Sequence, residues 1–189
     1  ERGQTPRVGL NTNVSQTLKN YVAKVYGQAI YYDNDYICAV YCASTGGTTT
    51  SSANGWGKAN PYLVSVESKY DSLGKQFKST RTFTAQQMKS IIEGRTNIDL
   101  SDNPSSWLKV TSVVDGGYVR GVSIDGHSTC SVGGGEKTIT GAFFRAYILG
   151  TSNMKSTHFT ISYDNGVFAV TSYGYGHGVG MPAEGAQLY

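Results

Sequence analysis

At 189 residues, of which 39% are apolar, the chain is long enough to bury the core of one ordinary domain, and its apolar runs are far too short to cross a bilayer. The net charge of +3 is scattered, with no Lys/Arg run longer than two, which excludes the electrostatic footprint of nucleic-acid binding. Charged residues make up 15%, and 24 Gly, 14 Tyr and many Ser and Thr take their place, giving a hydroxyl-rich surface suited to a partner rich in hydroxyls and amides, such as a glycan.

In chain order, residues 28–32 and 36–42 flank Asp33-Asn34-Asp35 and predict a hairpin whose second strand runs into Ser44-Thr45-Gly46-Gly47. Thr84 and Gln87 form a capping-box pattern ahead of Met88, Ile91 and Ile92, predicting a short helix over 84–93 stopped by Gly94. Residues 107–114 and 118–124 surround Asp115-Gly116-Gly117, a second hairpin signal. Thr140 reads as the cap of a helix over 140–149 carrying Phe143, Phe144, Tyr147 and Ile148. Residues 158–163 and 167–171 surround Asp164-Asn165-Gly166, a third hairpin. The expected fold is α+β, a β-rich single domain of hairpins with two short helices packed on the sheet and no internal repeat.

Three cysteines, Cys38, Cys42 and Cys130, cannot all pair within the chain. On a strand, Cys38 and Cys42 stand about 13 Å apart, too far for a disulfide or for two ligands of one metal unless a bulge bends the strand. His127 with Cys130 reads as a loop histidine and a small buried thiol, so no metal site is expected and no cofactor is called for. No His-Glu-x-x-His, P-loop or Gly-x-Ser-x-Gly element is present. Gly174, Gly176, Gly178 and Gly180 imitate a nucleotide loop, but Val179 stands where the dinucleotide fingerprint needs its third glycine. What stands out is the run Tyr173-Gly174-Tyr175-Gly176-His177-Gly178-Val179-Gly180-Met181, where bare backbone surrounds one imidazole that can donate to and accept from sugar hydroxyls.

Tyr41-Cys42-Ala43-Ser44-Thr45-Gly46-Gly47-Thr48, Trp56-Gly57, Pro61-Tyr62-Leu63-Val64-Ser65-Val66, Phe144-Arg145, Leu149-Gly150, and Gly176-His177-Gly178-Val179-Gly180-Met181 with Gly185-Ala186 follow one another in an order that resembles the stage II sporulation protein D family. The resemblance runs from about residue 20 to the C-terminus. It implies an extracytoplasmic protein, at the cell wall or the outer face of the bacterial membrane, whose partner is the glycan strand of peptidoglycan. The implied activity is that of a lytic transglycosylase cutting strands stripped of stem peptides to anhydromuramyl ends. The alternative is a non-catalytic wall-binding module or an enhancer of a wall amidase, with another wall hydrolase as partner. The family's catalytic glutamate lies on a segment that no residue here matches, so the principal acid/base carboxyl is expected ahead of Glu1, and any export signal or membrane anchor outside this chain.

A lytic transglycosylase needs one carboxyl, because the muramyl C6 hydroxyl is the nucleophile, whereas hydrolysis normally takes two. Glu1, Glu67, Glu93, Glu136 and Glu184 are the candidates within the chain, and Glu184, near His177 in sequence, is either a cleft carboxyl or a solvated one. The expected catalytic pair is thus Glu184 and His177. Ser44 and Thr45 either present hydroxyls to substrate or cap the turn before Gly46-Gly47, and Tyr62 either stacks on a sugar face or packs on the sheet edge. Arg145 is expected to be partly buried and paired with a cleft carboxylate or a muramyl carboxylate. With Gly46, Gly47, Gly176 and Gly178, these residues make the expected sugar-binding trough, while His158 reads as structural.

Overall fold

The computed structural model describes residues 14–189, so the candidate Glu1 lies outside the described residues. The chain divides at Val40/Tyr41 into two compact units. In the first, helix α1 (Gln16–Val25) starts at Ser15, whose Oγ accepts from the Leu18 amide at 3.2 Å, and none of its residues is buried. Strands β1 (Tyr31–Tyr32) and β2 (Asp35–Tyr36) follow, antiparallel around Asp33 and Asn34, both at positive φ (51° and 61°) as a tight two-residue hairpin requires. The Tyr31 and Tyr36 rings close this ribbon at 4.6 Å. The expected first hairpin is therefore shorter than 28–42, because Cys42 pairs elsewhere.

The second unit begins with β3 (Tyr41–Cys42) and the short helix α2 (Ser52–Trp56), capped by Ser51. Strand β4 (Lys78–Thr84) leads into α3 (Ala85–Glu93) through the expected capping box: the Gln87 amide donates to Thr84 Oγ1 at 3.2 Å and the Thr84 amide to Gln87 Oε1 at 2.9 Å. Strands β5 (Leu108–Val113) and β6 (Val119–Ile124) form the second expected hairpin, with a register shift between Val110 and Ser112. A further hairpin, β7 (Thr129–Val132) with β8 (Gly135–Thr138), turns at Gly133-Gly134. Thr140 caps α4 (Gly141–Phe143), as expected, and the helix then widens into a π-helical segment, Phe144–Leu149.

Strands β9 (Phe159–Asp164) and β10 (Val167–Tyr173) are the third expected hairpin, and β10 is the centre of a three-stranded antiparallel sheet in the order β4-β10-β9. Along β10 the side chains of Phe168, Val170 and Ser172 are buried in strict alternation, the period of a strand with one covered face. Met88 and Ile92 of α3, Phe144 and Ile148 of the π-helical segment, and Val122 and Ile124 of β6 complete the core. Each side chain of this kind contributes about 1.5–3 kcal/mol by leaving water. Finally β11 (Met181–Pro182) pairs parallel with β3, and α5 (Ala183–Ala186) ends the unit. The architecture is mixed α and β, built from small hairpin sheets. No described helix is long and apolar enough to cross a membrane.

Candidate functional site

Two glycine-bearing segments meet beside β3. Ser44 and Tyr175 exchange backbone hydrogen bonds at 3.1 and 2.8 Å, and the Gly176 amide donates to the Lys155 carbonyl at 3.0 Å. The approach is so close that a Cβ on Gly46 would lie 2.6 Å from the Tyr173 Cβ, and one on Gly174 would lie 2.6 Å from the Ser44 carbonyl oxygen. Gly178, at φ 75°, is packed against the Tyr118 hydroxyl, where a Cβ would come within 2.0 Å. Its carbonyl accepts from the Thr50 amide at 2.8 Å, which ties the run to the segment leading into α2. A groove of about 310 Å³ opens between these parts, its lining including Thr50, Asn54, Tyr118, Thr140, Arg145 and His177.

His177 stands exposed at this groove, its ring 5.2 Å from that of Trp56 at the end of α2. Nδ1 of His177 accepts from the Val179 amide at 3.1 Å, so the neutral ring carries its proton on Nε2. Burial of the ring's inner side pushes its pKa below the usual histidine value; the Tyr41 backbone opposes this, and the Arg145 charge adds to it. The group is therefore a neutral donor at pH 7. Trp56 is 49% exposed, flanked by Gly55 and Gly57, and offers an open indole face beside the imidazole.

Arg145 is half-buried on the π-helical segment. Its Nε donates to the Met154 carbonyl at 3.1 Å and its Nη2 to the Lys155 carbonyl at 3.0 Å. The expected carboxylate partner is not seen: among the described residues, the one ion pair within 4.0 Å is Lys89 with Glu93. Burial lowers the Arg145 pKa, yet a guanidinium stays charged, so its remaining nitrogen keeps an unmatched positive edge at the groove. Behind the lining, Asp115 accepts from Thr50 Oγ1 at 2.8 Å and Asn54 Nδ2 at 2.6 Å. Desolvation works to raise the Asp115 pKa, and the bonds from Thr50, Asn54 and Ser51 together hold it below the usual carboxylate value. Buried Tyr118 donates to the carbonyls of Thr45 (3.0 Å) and Thr48 (3.3 Å); burial first, then nearby negative groups, raise its pKa.

The other residues singled out from sequence fall in different places. Ser44 and Thr45 are beside the groove in backbone but buried in side chain, at 1% and 0% exposure. Thr45 is taken up by Asp71, fully buried, whose Oδ2 accepts from the Thr45 amide at 2.7 Å and from its hydroxyl. Gly46 and Gly47 shape this turn at φ 73° and 105°. Gly176 packs on Cys42, whose thiol burial pushes up to about 11. Glu184 is half-buried, with Oε2 accepting from the Gln76 amide at 2.9 Å, and does not line the groove. Tyr62 is half-buried on the 60–65 loop and does not line it either. His158 sits between Tyr118 and Tyr173, at 5.3 and 4.9 Å. Of the groove residues, Thr50 and Asn54 carry no expectation from sequence, Tyr118 and Thr140 were expected only as a strand start and a helix cap, and Trp56 only as a motif residue. The signal was there for Trp56, an indole between two glycines ahead of the proline-containing 57–61 stretch.

No protein-family model matches the chain. It is 30% identical over 167 residues to stage II sporulation protein D of Bacillus subtilis, an overlap of 88% of this chain and 43% of that protein. It is 26% identical over 210 residues to the amidase enhancer of the same organism, covering 88% of this chain and 28% of the relative. Stage II sporulation protein D of Bacillus amyloliquefaciens is 27% identical over 178 residues, 93% of this chain and 46% of that protein. The chain thus spans less than half the length of these curated relatives.

Proposed function

The chain belongs to the stage II sporulation protein D family, and on that premise we propose that it works outside the cytoplasm on the cell wall, holding peptidoglycan glycan strands in the His177 groove for lytic transglycosylation. The observation that carries the reading is that His177 and Arg145 line one groove, with the exposed Trp56 ring 5.2 Å from that of His177. The indole gives a flat face for the C–H side of a sugar ring. The His177 imidazole edge gives a polar contact to a ring hydroxyl or an acetamido carbonyl. The unmatched edge of Arg145 meets the lactyl carboxylate of a muramyl residue, a group that carries charge only after the stem peptide has been removed. In the reaction, the muramyl C6 hydroxyl attacks its own anomeric carbon as the bond to the neighbouring sugar's oxygen breaks. One carboxyl protonates that oxygen and takes the C6 hydroxyl proton. No Asp or Glu among the described residues lines the groove to supply this carboxyl, and Glu184 is engaged with Gln76.

The test mixes the chain with denuded glycan strands, reads binding by fluorescence, and counts anhydromuramyl ends by mass spectrometry. The chain has two tryptophans, and Trp107 is 3% exposed, so a ligand-induced change reports on Trp56. Binding that survives both His177→Ala and Arg145→Gln overturns the groove. A second reading, a non-catalytic module that binds strands and stimulates a wall amidase, is favoured because no Asp or Glu lines the groove among the described residues and because one relative is named amidase enhancer. It predicts saturable binding with faster release of stem peptides by an added amidase, and anhydro ends made by this chain reject it.

A further inference from the structure

Asn54, exposed on α2, lines the His177 groove. Its backbone amide donates to the capping Ser51 Oγ at 3.3 Å, and its Nδ2 donates to Asp115 Oδ1 at 2.6 Å, from a residue 61 positions further on in the β5–β6 turn. That turn cannot slide along the 49–54 segment. Gly116, at φ 72°, lies so close that a Cβ there would stand 2.6 Å from the Thr49 carbonyl oxygen, and Thr50 Oγ1 also donates to Asp115 Oδ1, at 2.8 Å.

The pairing decides which way the Asn54 carboxamide is turned. Desolvation, the largest single influence, works to raise the Asp115 pKa, and the bonds from Thr50, Asn54 and Ser51 outweigh it, so the group is ionised at pH 7. An ionised carboxylate only accepts. The end of Asn54 that faces it is therefore the nitrogen, and Oδ1 is the free end of a groove-lining side chain, with no hydrogen-bond partner among the described residues. Of the side chains already assigned to the groove, Arg145 only donates, and Nδ1 of His177 is taken by the Val179 amide. Asn54 Oδ1 adds an acceptor held in a fixed orientation. Its natural complement is a group that only donates, which on an N-acetylated sugar is the acetamido N–H; a ring hydroxyl both donates and accepts.

We propose that Asn54 determines specificity by accepting the acetamido N–H of a bound sugar, and that Asp115 is the positioning residue that holds its carboxamide for this contact. The proposal rests on the groove reading given above and deepens it. Asp115 does not touch the sugar. It acts through Asn54, so its loss frees the carboxamide to rotate and to offer a donor where the sugar also has one.

The test titrates the 15N-labelled chain with chitotetraose and with cellotetraose, which has the same backbone and a hydroxyl in place of each acetamido group, and takes affinities per folded molecule. Asn54→Ala and Asp115→Ala each weaken chitotetraose about tenfold, while the cellotetraose affinity, lower from the start, does not change. The double exchange Asn54→Asp with Asp115→Asn moves the donating nitrogen to position 115 and keeps an accepting oxygen at 54. It restores chitotetraose binding to within about threefold of the parent. In the free chain, the Asn54 carboxamide signals follow the titration of Asp115, with a midpoint below the ordinary carboxylate value, and lose that step in Asp115→Ala. No binding of chitotetraose or denuded strands by the parent rejects the groove reading, and this proposal with it. Parent binding that Asn54→Ala leaves intact, an equal loss for both tetramers, or a double exchange as weak as the single variants rejects the proposal alone. Asn54 signals blind to Asp115 in the free chain remove the positioning role whatever the glycan does.

Discussion

The 44–47 turn and the 174–180 run are composed alike, of glycine beside small or hydroxylated residues, and they lie against each other, yet they do opposite work. In the turn the polar side chains face inward: Thr45 is consumed by Asp71, and Ser44 Oγ is buried with no partner. In the run the glycines let Tyr118 and Cys42 approach from behind, and His177 is left facing out. Hydroxyl content therefore does not make a binding surface. What decides is which segment has its side chains on the solvent side of the shared backbone ladder.

Breaking the ladder from behind has the largest expected effect. In Gly178→Ala the new methyl overlaps the Tyr118 hydroxyl and sits at φ 75°, so overpacking and the left-handed backbone together cost about 3–4 kcal/mol. That corresponds to a fall of roughly 10 °C in Tm, read by calorimetry, with groove binding lost as well. Next comes Asp71→Ala. It strands the buried Thr45 amide and hydroxyl and costs about 2–3 kcal/mol. Glycan affinity measured per folded molecule stays as it was, because Asp71 is behind the turn. Weaker binding at unchanged stability would instead make the turn part of the recognition surface.

The groove side should give the reverse pattern. Trp56→Ala removes an exposed face and costs less than about 1 kcal/mol in stability, but lowers glycan affinity about tenfold. Trp56→Phe recovers part of it. Ser44→Ala is smaller still, since it removes a buried hydroxyl that has no partner. Stability moves by no more than about 1 kcal/mol in either direction, and binding is unchanged. A clear loss of affinity in Ser44→Ala would return that hydroxyl to the site.

Local elements were legible wherever turn chemistry is short-range. The Thr84–Gln87 box, the Thr140 cap and the three hairpin turns depend on side chains reaching at most a few residues, and each stands where the sequence puts it, except that Asp35 joins β2 and shortens the first turn to Asp33 and Asn34. The site was legible only in part, because its composition depends on long-range pairing. Nothing local says that Thr45 will meet an aspartate 26 positions on, or that Asp115 will gather Thr50 and Asn54 from more than 60 positions away. Helix α1 shows the other limit. Its Leu18, Tyr21, Val22 and Val25 have helical spacing that could have been read, but burial cannot be deduced from spacing, and none of the four is buried.

The smallest effect, and the sharpest probe of how the two segments share His177, is its titration. Burial and the Arg145 charge both disfavour the imidazolium, so the folded pKa lies below the ordinary 6.5. Between that folded value and 6.5 the unfolded chain binds more protons than the folded one. The stability contribution is thus complete above 6.5 and is lost as pH falls from there through the folded pKa. Half-buried His158, lowered chiefly by burial, acts in the same direction. Because the His177 side chain reaches solvent at the groove, its share is small, and NMR of the imidazole C–H signals measures it better than melting does. Glycan binding should be level from about pH 8 to 7 and fall only in acid, as the ring gains its second proton and Nδ1 gives up the Val179 amide. In Arg145→Gln the midpoint should move up toward 6.5, since one of the two charge-disfavouring causes is gone. A His177 midpoint at or above 6.5 in the parent chain would mean that the ring is neither desolvated nor near that guanidinium, and the groove would lose its neutral donor.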